Sequence, residues 1–101
     1  MNYINLTPHA IVLNDGRVFE PSGTIARVSS THTAFDGDVC TVEFGEVTGL
    51  PESSEGTLYI VSALVASAAK RHDVVSPATG HPEAKRNEKG QIISVPGFVR
   101  A

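Results

Sequence analysis

A chain of 101 residues, 41 % of them hydrophobic, with a formal net charge of −3 is sized for one domain, 1–101, with a modest core. Eight Lys and Arg against eleven Asp and Glu exclude a general nucleic-acid binder, which draws its affinity from dense cationic contacts to phosphate. One cysteine excludes an intrachain disulfide, the opening residues lack the features of a signal peptide, and "TLYIVSALVASAA" is too short to span a bilayer. The expectation is a soluble cytosolic protein with no membrane partner.

The chain opens with "INLTPHAIVL", in which Thr7-Pro8-His9 separates two apolar runs. Pro8 cannot donate to a strand ladder, so it belongs at an edge or bend. Thr7 and His9 then either form a corner that satisfies its own backbone or line the mouth of a sheet. The expectation is that His9 faces a concave polar surface near Arg27, completed in an assembly by a second subunit. "AIVLNDGRVFE" reads as a hairpin whose Asp15-Gly16 turn supplies two positive φ angles. "EPSG" is a second turn. "TIARVSS" is strand-like, with Ile25, Arg27 and Ser29 on one face and Ala26 and Val28 on the other. "FDGD" is another turn. "VCTVEFGEV" alternates, placing Cys40 on the inward face with Val42 and Phe44 as a small core residue. Residues 49–56 are a loop by composition.

"TLYIV" is β-branched and aromatic, and Ser62 is a natural helix N-cap. One short helix is expected over 63–71, with Leu64 and Ala68 toward the sheet, Val65 as a further candidate for that face, and Lys70 and Arg71 in its last turn. "SPATGHPE" is a loop, and "AKRNEKGQIISV" is a final hairpin with Gly90 left-handed. Short strands and closely spaced turns describe an α+β, mainly β fold: a small antiparallel sheet curled toward a barrel, with one helix packed on it.

"NLTPHAI", "PSGTIARV", "GLPESSEGTLYIVSALVASAAKRHDVVSP" and "KRNEKGQIISVPGF", in that order, resemble a group of small proteins encoded in bacteriophage genomes. The resemblance covers nearly the whole chain. It implies a phage accessory protein made in the host cytoplasm, and it carries over no catalytic residue, cofactor or fold.

The chemistry-bearing residues are sparse. No phosphate-binding glycine loop and no CxxC or HxxxH pair is present. His9, His32, His72 and His81 have no ligand spacing, so no metal is expected. Arg71-His72-Asp73 either ends the helix in solvent or lets Asp73 charge His72 for acid–base work. The expected function is non-enzymatic binding without a cofactor. The protein would antagonise a host defence system by occluding a host protein or sequestering a small anionic, nucleotide-like ligand. The candidate ligand-binding residues are Thr7, His9, Arg27, Ser62, Arg71 and His72, and a homo-oligomer is expected because a subunit interface can enclose a ligand. The alternatives are a small virion or assembly component, or a hydrolase or lyase using His9, His72 and Asp73.

Overall fold

The structure is a computed structural model that describes residues 2–100. Along the chain lie β1 (Asn2–Asn5), β2 (Ile11–Val12), β3 (Val18–Phe19), β4 (Arg27–His32), β5 (Val42–Thr48), β6 (Thr57–Ile60), α1 (Ala63–Ala69), β7 (Val74–Pro77), β8 (Lys85–Arg86), β9 (Ile92–Ser94) and β10 (Phe98–Arg100). The mainly β composition with a single helix matches the sequence reading. The arrangement does not, because the central sheet is mixed and open rather than antiparallel and curled toward a barrel.

Its order is β1-β6-β7-β10. The β1–β6 and β6–β7 pairs are parallel, and β10 pairs with β7 antiparallel. Parallel strands need a crossover, and α1 is the crossover between β6 and β7. Crossovers and hairpins cover both faces of such a sheet, so its central strands read as continuous apolar runs. "YIV" and "VV" are those runs: Tyr59, Ile60, Val61, Val74 and Val75 are all buried. Neither β7 nor β10 is anticipated by the sequence reading. The loop expected over 76–83 takes in Ser76 and Pro77, yet Pro77 sits at the last position of β7, where a missing N–H costs little.

Alternation along the central strands divides the core. One face carries Leu6, Tyr59, Val61 and Val74 under Val65 and Ala66 of α1 and Ala26 at the start of the β4–β5 ribbon. The other carries Ile60 and Val75 under Ile11, Leu13 and Val95 of the short hairpins. There the rings of Tyr3, Phe19 and Phe98 meet with centroids 5.1–5.7 Å apart. Tyr3 and Phe98 come from the two edge strands, so this trio ties the sheet edges together across the second face.

Local signals govern the turns. Gly16 has φ 98°, but Asp15 is not positive. The turn is a three-residue loop, Asn14-Asp15-Gly16, in which Gly16 N–H bonds Leu13 O and Leu13 N–H bonds Arg17 O. A single left-handed residue after an ordinary turn suffices for this hairpin. The Asp36-Gly37 turn and the left-handed Gly90 form as expected.

Ser62 caps α1, its Oγ accepting Val65 N–H at 3.3 Å. The helix stops at Ala69, two residues short of the expected end, because Lys70 turns left-handed (φ 52°) and its N–H closes onto Ala66 O. Lys70 and Arg71 therefore lie outside the last turn. Helix phase is also shifted: Val65 and Ala66 are buried, Ala68 is half-buried, and Leu64 is 49 % exposed. In an alanine-rich helix the apolar stripe carries little phase information, and the face that packs into the core is that of Val65 and Ala66 rather than that of Leu64.

Among the described residues, β4 and β5 form a two-stranded ribbon that joins no other strand. Val28 and Val47 at its base pack on the α1 face of the core. Farther out, Val42 and Phe44 are each 42 % exposed, and Cys40 is half-buried outside both core clusters. The expected inward face of Cys40, Val42 and Phe44 does not form, because no second layer lies over the outer ribbon. The ribbon extends the molecule to 47 × 38 × 21 Å with a radius of gyration of 15.1 Å, against about 13 Å for a compact chain of this length. Among the described residues, no helix is long and apolar enough to cross a membrane.

Candidate ligand-binding groove

The Thr7-Pro8-His9 corner is organised by Asn5, which is buried at the end of β1. Its amide donates to His9 O at 2.8 Å and Phe19 O at 2.9 Å, and its Oδ1 accepts Thr7 N–H at 2.9 Å and the Thr7 hydroxyl at 2.6 Å. One buried side chain thus satisfies the backbone that Pro8 leaves unladdered. This is the self-satisfying corner, one of the two arrangements the sequence allows. The corner also parts its neighbours: Thr7 and Pro8 face one groove, and His9 faces another.

The first groove, about 320 Å³, opens where β1 and β6 end and α1 begins. The carboxyl ends of parallel strands are where open α/β sheets bind ligands. Leu6 and Ala26 form part of its lining, joined by the bond from Ala26 N–H to Leu6 O at 3.0 Å. Pro8, Ile25, Leu64 and Val65 supply further apolar wall, and Thr7, Arg27 and Ser62 are the polar lining. Three of the six candidate residues therefore share one groove, although they are 20 and 35 positions apart in sequence.

These three differ in what they can offer. The Thr7 hydroxyl proton is directed at Asn5 Oδ1 or His9 O, 2.6 and 3.0 Å away, so Thr7 presents only acceptor lone pairs outward. Ser62 Oγ accepts from Val65 N–H, which leaves its own proton to donate. Among the described residues Arg27 makes no side-chain hydrogen bond or ion pair, whereas Arg17, Arg71, Arg86 and Arg100 are each engaged within the chain. The seven-residue α1 is too short to add much dipole of its own.

Arg71 is committed elsewhere. It forms a two-pronged ion pair with Asp73, Nε to Oδ1 at 3.0 Å and Nη2 to Oδ2 at 2.7 Å. It also donates to Pro51 O at 2.8 Å and to Ser53 Oγ at 2.9 Å, and lies 5.8 Å from the centre of the Tyr59 ring. Tyr59 donates its hydroxyl to Glu52 O at 3.1 Å. Together they fasten the 49–56 loop to the sheet. The hydrogen bonds from Arg71 hold the Asp73 carboxyl below its usual range, and Asp73 in turn raises the Arg71 value. With its planar face and four of its five N–H groups used, Arg71 serves as a clamp.

His72 is exposed before β7, with its carbonyl accepting Arg100 Nε at 2.8 Å. His9 lines the second groove, also about 320 Å³, with Val12, Pro77, Thr79, Ile93 and Ser94. That groove is largely apolar, so the expected concave polar surface around His9 is not what the corner faces, and Arg27 lies in the other groove. His9 follows the carboxyl end of β1, whereas His72 and Asp73 precede the amino end of the parallel strand β7. Opposite ends of the sheet therefore separate His9 from the adjacent His72 and Asp73 of the hydrolase alternative. Among the described residues no three His, Cys, Asp or Glu side chains gather as a metal-binding group.

The sequence reading missed the apolar walls, Pro8, Ile25 and Leu64. Leu64 carried no signal of this, because the alanine-rich helix leaves the direction of its first turn open in the sequence. No protein-family model, no curated protein and no solved structure matches the chain.

Proposed function

We propose that this chain is a non-enzymatic binding protein that takes a small ligand with an apolar or planar body and an anionic group in the groove between β1, β4 and α1. The observation that carries the reading is Arg27. It is the one arginine without an internal partner among the described residues, and it stands beside an apolar wall and the free proton of Ser62 Oγ. A guanidinium in that setting matches a phosphate or carboxylate, and the wall matches a base or similar ring. The volume lies at the low end of small-molecule sites. Nucleotide-like signals have this chemistry, and sequestering one is a way for a phage accessory protein, the class the resemblance implies, to antagonise a host defence system. The action is then stoichiometric, and the ligand is returned unchanged.

Titration calorimetry at low salt with mononucleotides and cyclic dinucleotides tests this. Saturable heat is expected for at least one, with the nucleotide recovered intact by mass spectrometry. Arg27→Ala should weaken binding by about tenfold or more at an unchanged melting temperature. No heat with any anion, or conversion of the nucleotide, would sink the proposal.

The projecting ribbon favours a second reading, a virion or assembly component. Mass spectrometry of purified virions decides it.

A further inference from the structure

Charge is segregated along this chain in a way the groove does not use. Residues 28–48 contain Asp36, Asp38, Glu43 and Glu46 and no Lys or Arg, while residues 84–100 contain Lys85, Arg86, Lys89 and Arg100 against Glu88 alone. Structure turns this into two surfaces. The acidic segment is the β4–β5 ribbon, and the basic segment includes the β8–β9 hairpin.

The ribbon bears apolar groups with nothing over them. Directly opposite pairs in a ladder share a face. Val28 with Val47, Ser30 with Phe44, and His32 with Val42 are such pairs. The even steps along β4 therefore place all six on one face, and an extra residue in β5 between Phe44 and Val47 keeps the parity. The base of that face is covered by α1, and the outer part is not. Phe35 and Val39 at the tip are 71 % and 69 % exposed, beside Asp36 and Asp38. An isolated two-stranded ribbon is marginal in water, so a cover for its outer half would stabilise it.

The second groove has complementary features. Its volume of about 320 Å³ exceeds the roughly 150 Å³ that a benzene-sized ring needs. Ile93, 53 % exposed, is on its wall. Lys85 and Arg86 stand opposite Ser94 and Ile92 of that wall, and the Arg86 guanidinium reaches Thr79 O at 3.4 Å. These two cations border the groove without lining it.

We infer that the occupant of this groove is the ribbon tip of a second copy of the same chain: Phe35 enters the groove while Asp36 and Asp38 meet Lys85 and Arg86 at its border. The ribbon base packs on the α1 face of the sheet and the groove lies on the hairpin face, so the contact joins unlike surfaces. Such a head-to-tail contact closes into a ring or continues as a filament. It is independent of ligand binding at Arg27.

Sedimentation velocity on the full chain tests this, at low and high salt and from low to high micromolar protein. Assembly beyond the dimer is expected at high concentration in low salt, weakening with added salt because charge steers the contact. Phe35→Ser and Ile93→Asp should each weaken self-association by about tenfold or more, with melting temperatures near that of the parent because both side chains are exposed. Mixing these two variants leaves one intact ribbon and one intact groove per pair, so assembly should stop at a heterodimer. Lys85→Glu should weaken assembly, and Asp36→Lys added to it should restore it. A chain that stays monomeric throughout would overturn the inference, because the ribbon's partner would not be this chain. Assembly indifferent to all four substitutions would overturn it too.

Discussion

Asn5 shows how much one side chain can settle. It follows Tyr3 and Ile4 on an edge strand, where an asparagine would ordinarily face water, yet it is 2 % exposed. Its amide and carbonyl answer four groups on three residues: His9 O, Phe19 O, Thr7 N–H and the Thr7 hydroxyl. Removing one partner from a buried set leaves the others to bear their desolvation, about 1–3 kcal/mol for each group left bare. Asn5→Ala should therefore cost about 2–4 kcal/mol and loosen both grooves at once, since Thr7 and His9 line opposite sides of the corner. Chemical denaturation of Asn5→Ala and Thr7→Val checks this. Thr7→Val loses only one hydroxyl and should cost roughly 1 kcal/mol. Equal losses would show that Asn5 is not the organiser.

At the scale of the element, the join between the ribbon and the 49–56 loop depends on Gly49. It has φ 77°, and a Cβ there would run into the carbonyl oxygen of Ile25, one residue before buried Ala26. Gly16 also has a positive φ, but nothing lies within 4 Å of the place a Cβ would take. The comparison separates two effects. Gly16→Ala should cost only the left-handed penalty, about 1–2 kcal/mol. Gly49→Ala adds an overlap with backbone that cannot rotate away, and should exceed Gly16→Ala by at least about 1 kcal/mol. Thermal melts of the two proteins give the difference, and equal melting temperatures would contradict the close approach. The same join positions Arg27, since β4 begins one residue after Ala26.

Over the whole molecule, stability should be uneven. β6 and β7 are covered on both faces, whereas the outer ribbon has one flanking strand and no cover. Amides open locally where few apolar contacts hold them and only by global unfolding where many do. Hydrogen exchange at low micromolar concentration should therefore show fast exchange through residues 30–44 and slow exchange at Tyr59, Ile60 and Val75. Ribbon amides as slow as those of β6 in the isolated chain would contradict this picture. Protection that rises in the ribbon with protein concentration is the pattern expected from assembly.

Much of the local structure follows from sequence, for a physical reason that particular elements show. The Asp15-Gly16 and Asp36-Gly37 turns, the left-handed Gly90 and the Ser62 cap depend on neighbours within a few positions, so their residue types announce them. The mainly β character with one helix after "TLYIVS" follows in the same way. Sheet order does not, because pairing Asn2–Asn5 with Thr57–Ile60 joins segments 55 positions apart in register, and no local spacing encodes that choice. The parallel crossing, the place of β7 and the phase of α1 were settled by which apolar faces could be covered together. The same holds for function: Thr7, Arg27 and Ser62 are recognisable as polar candidates one at a time, but only the closing of β1 against β6 and β4 places them in one groove. That closing also separates His9 from His72, because burial rewards the contacts of the folded chain rather than the order of its residues.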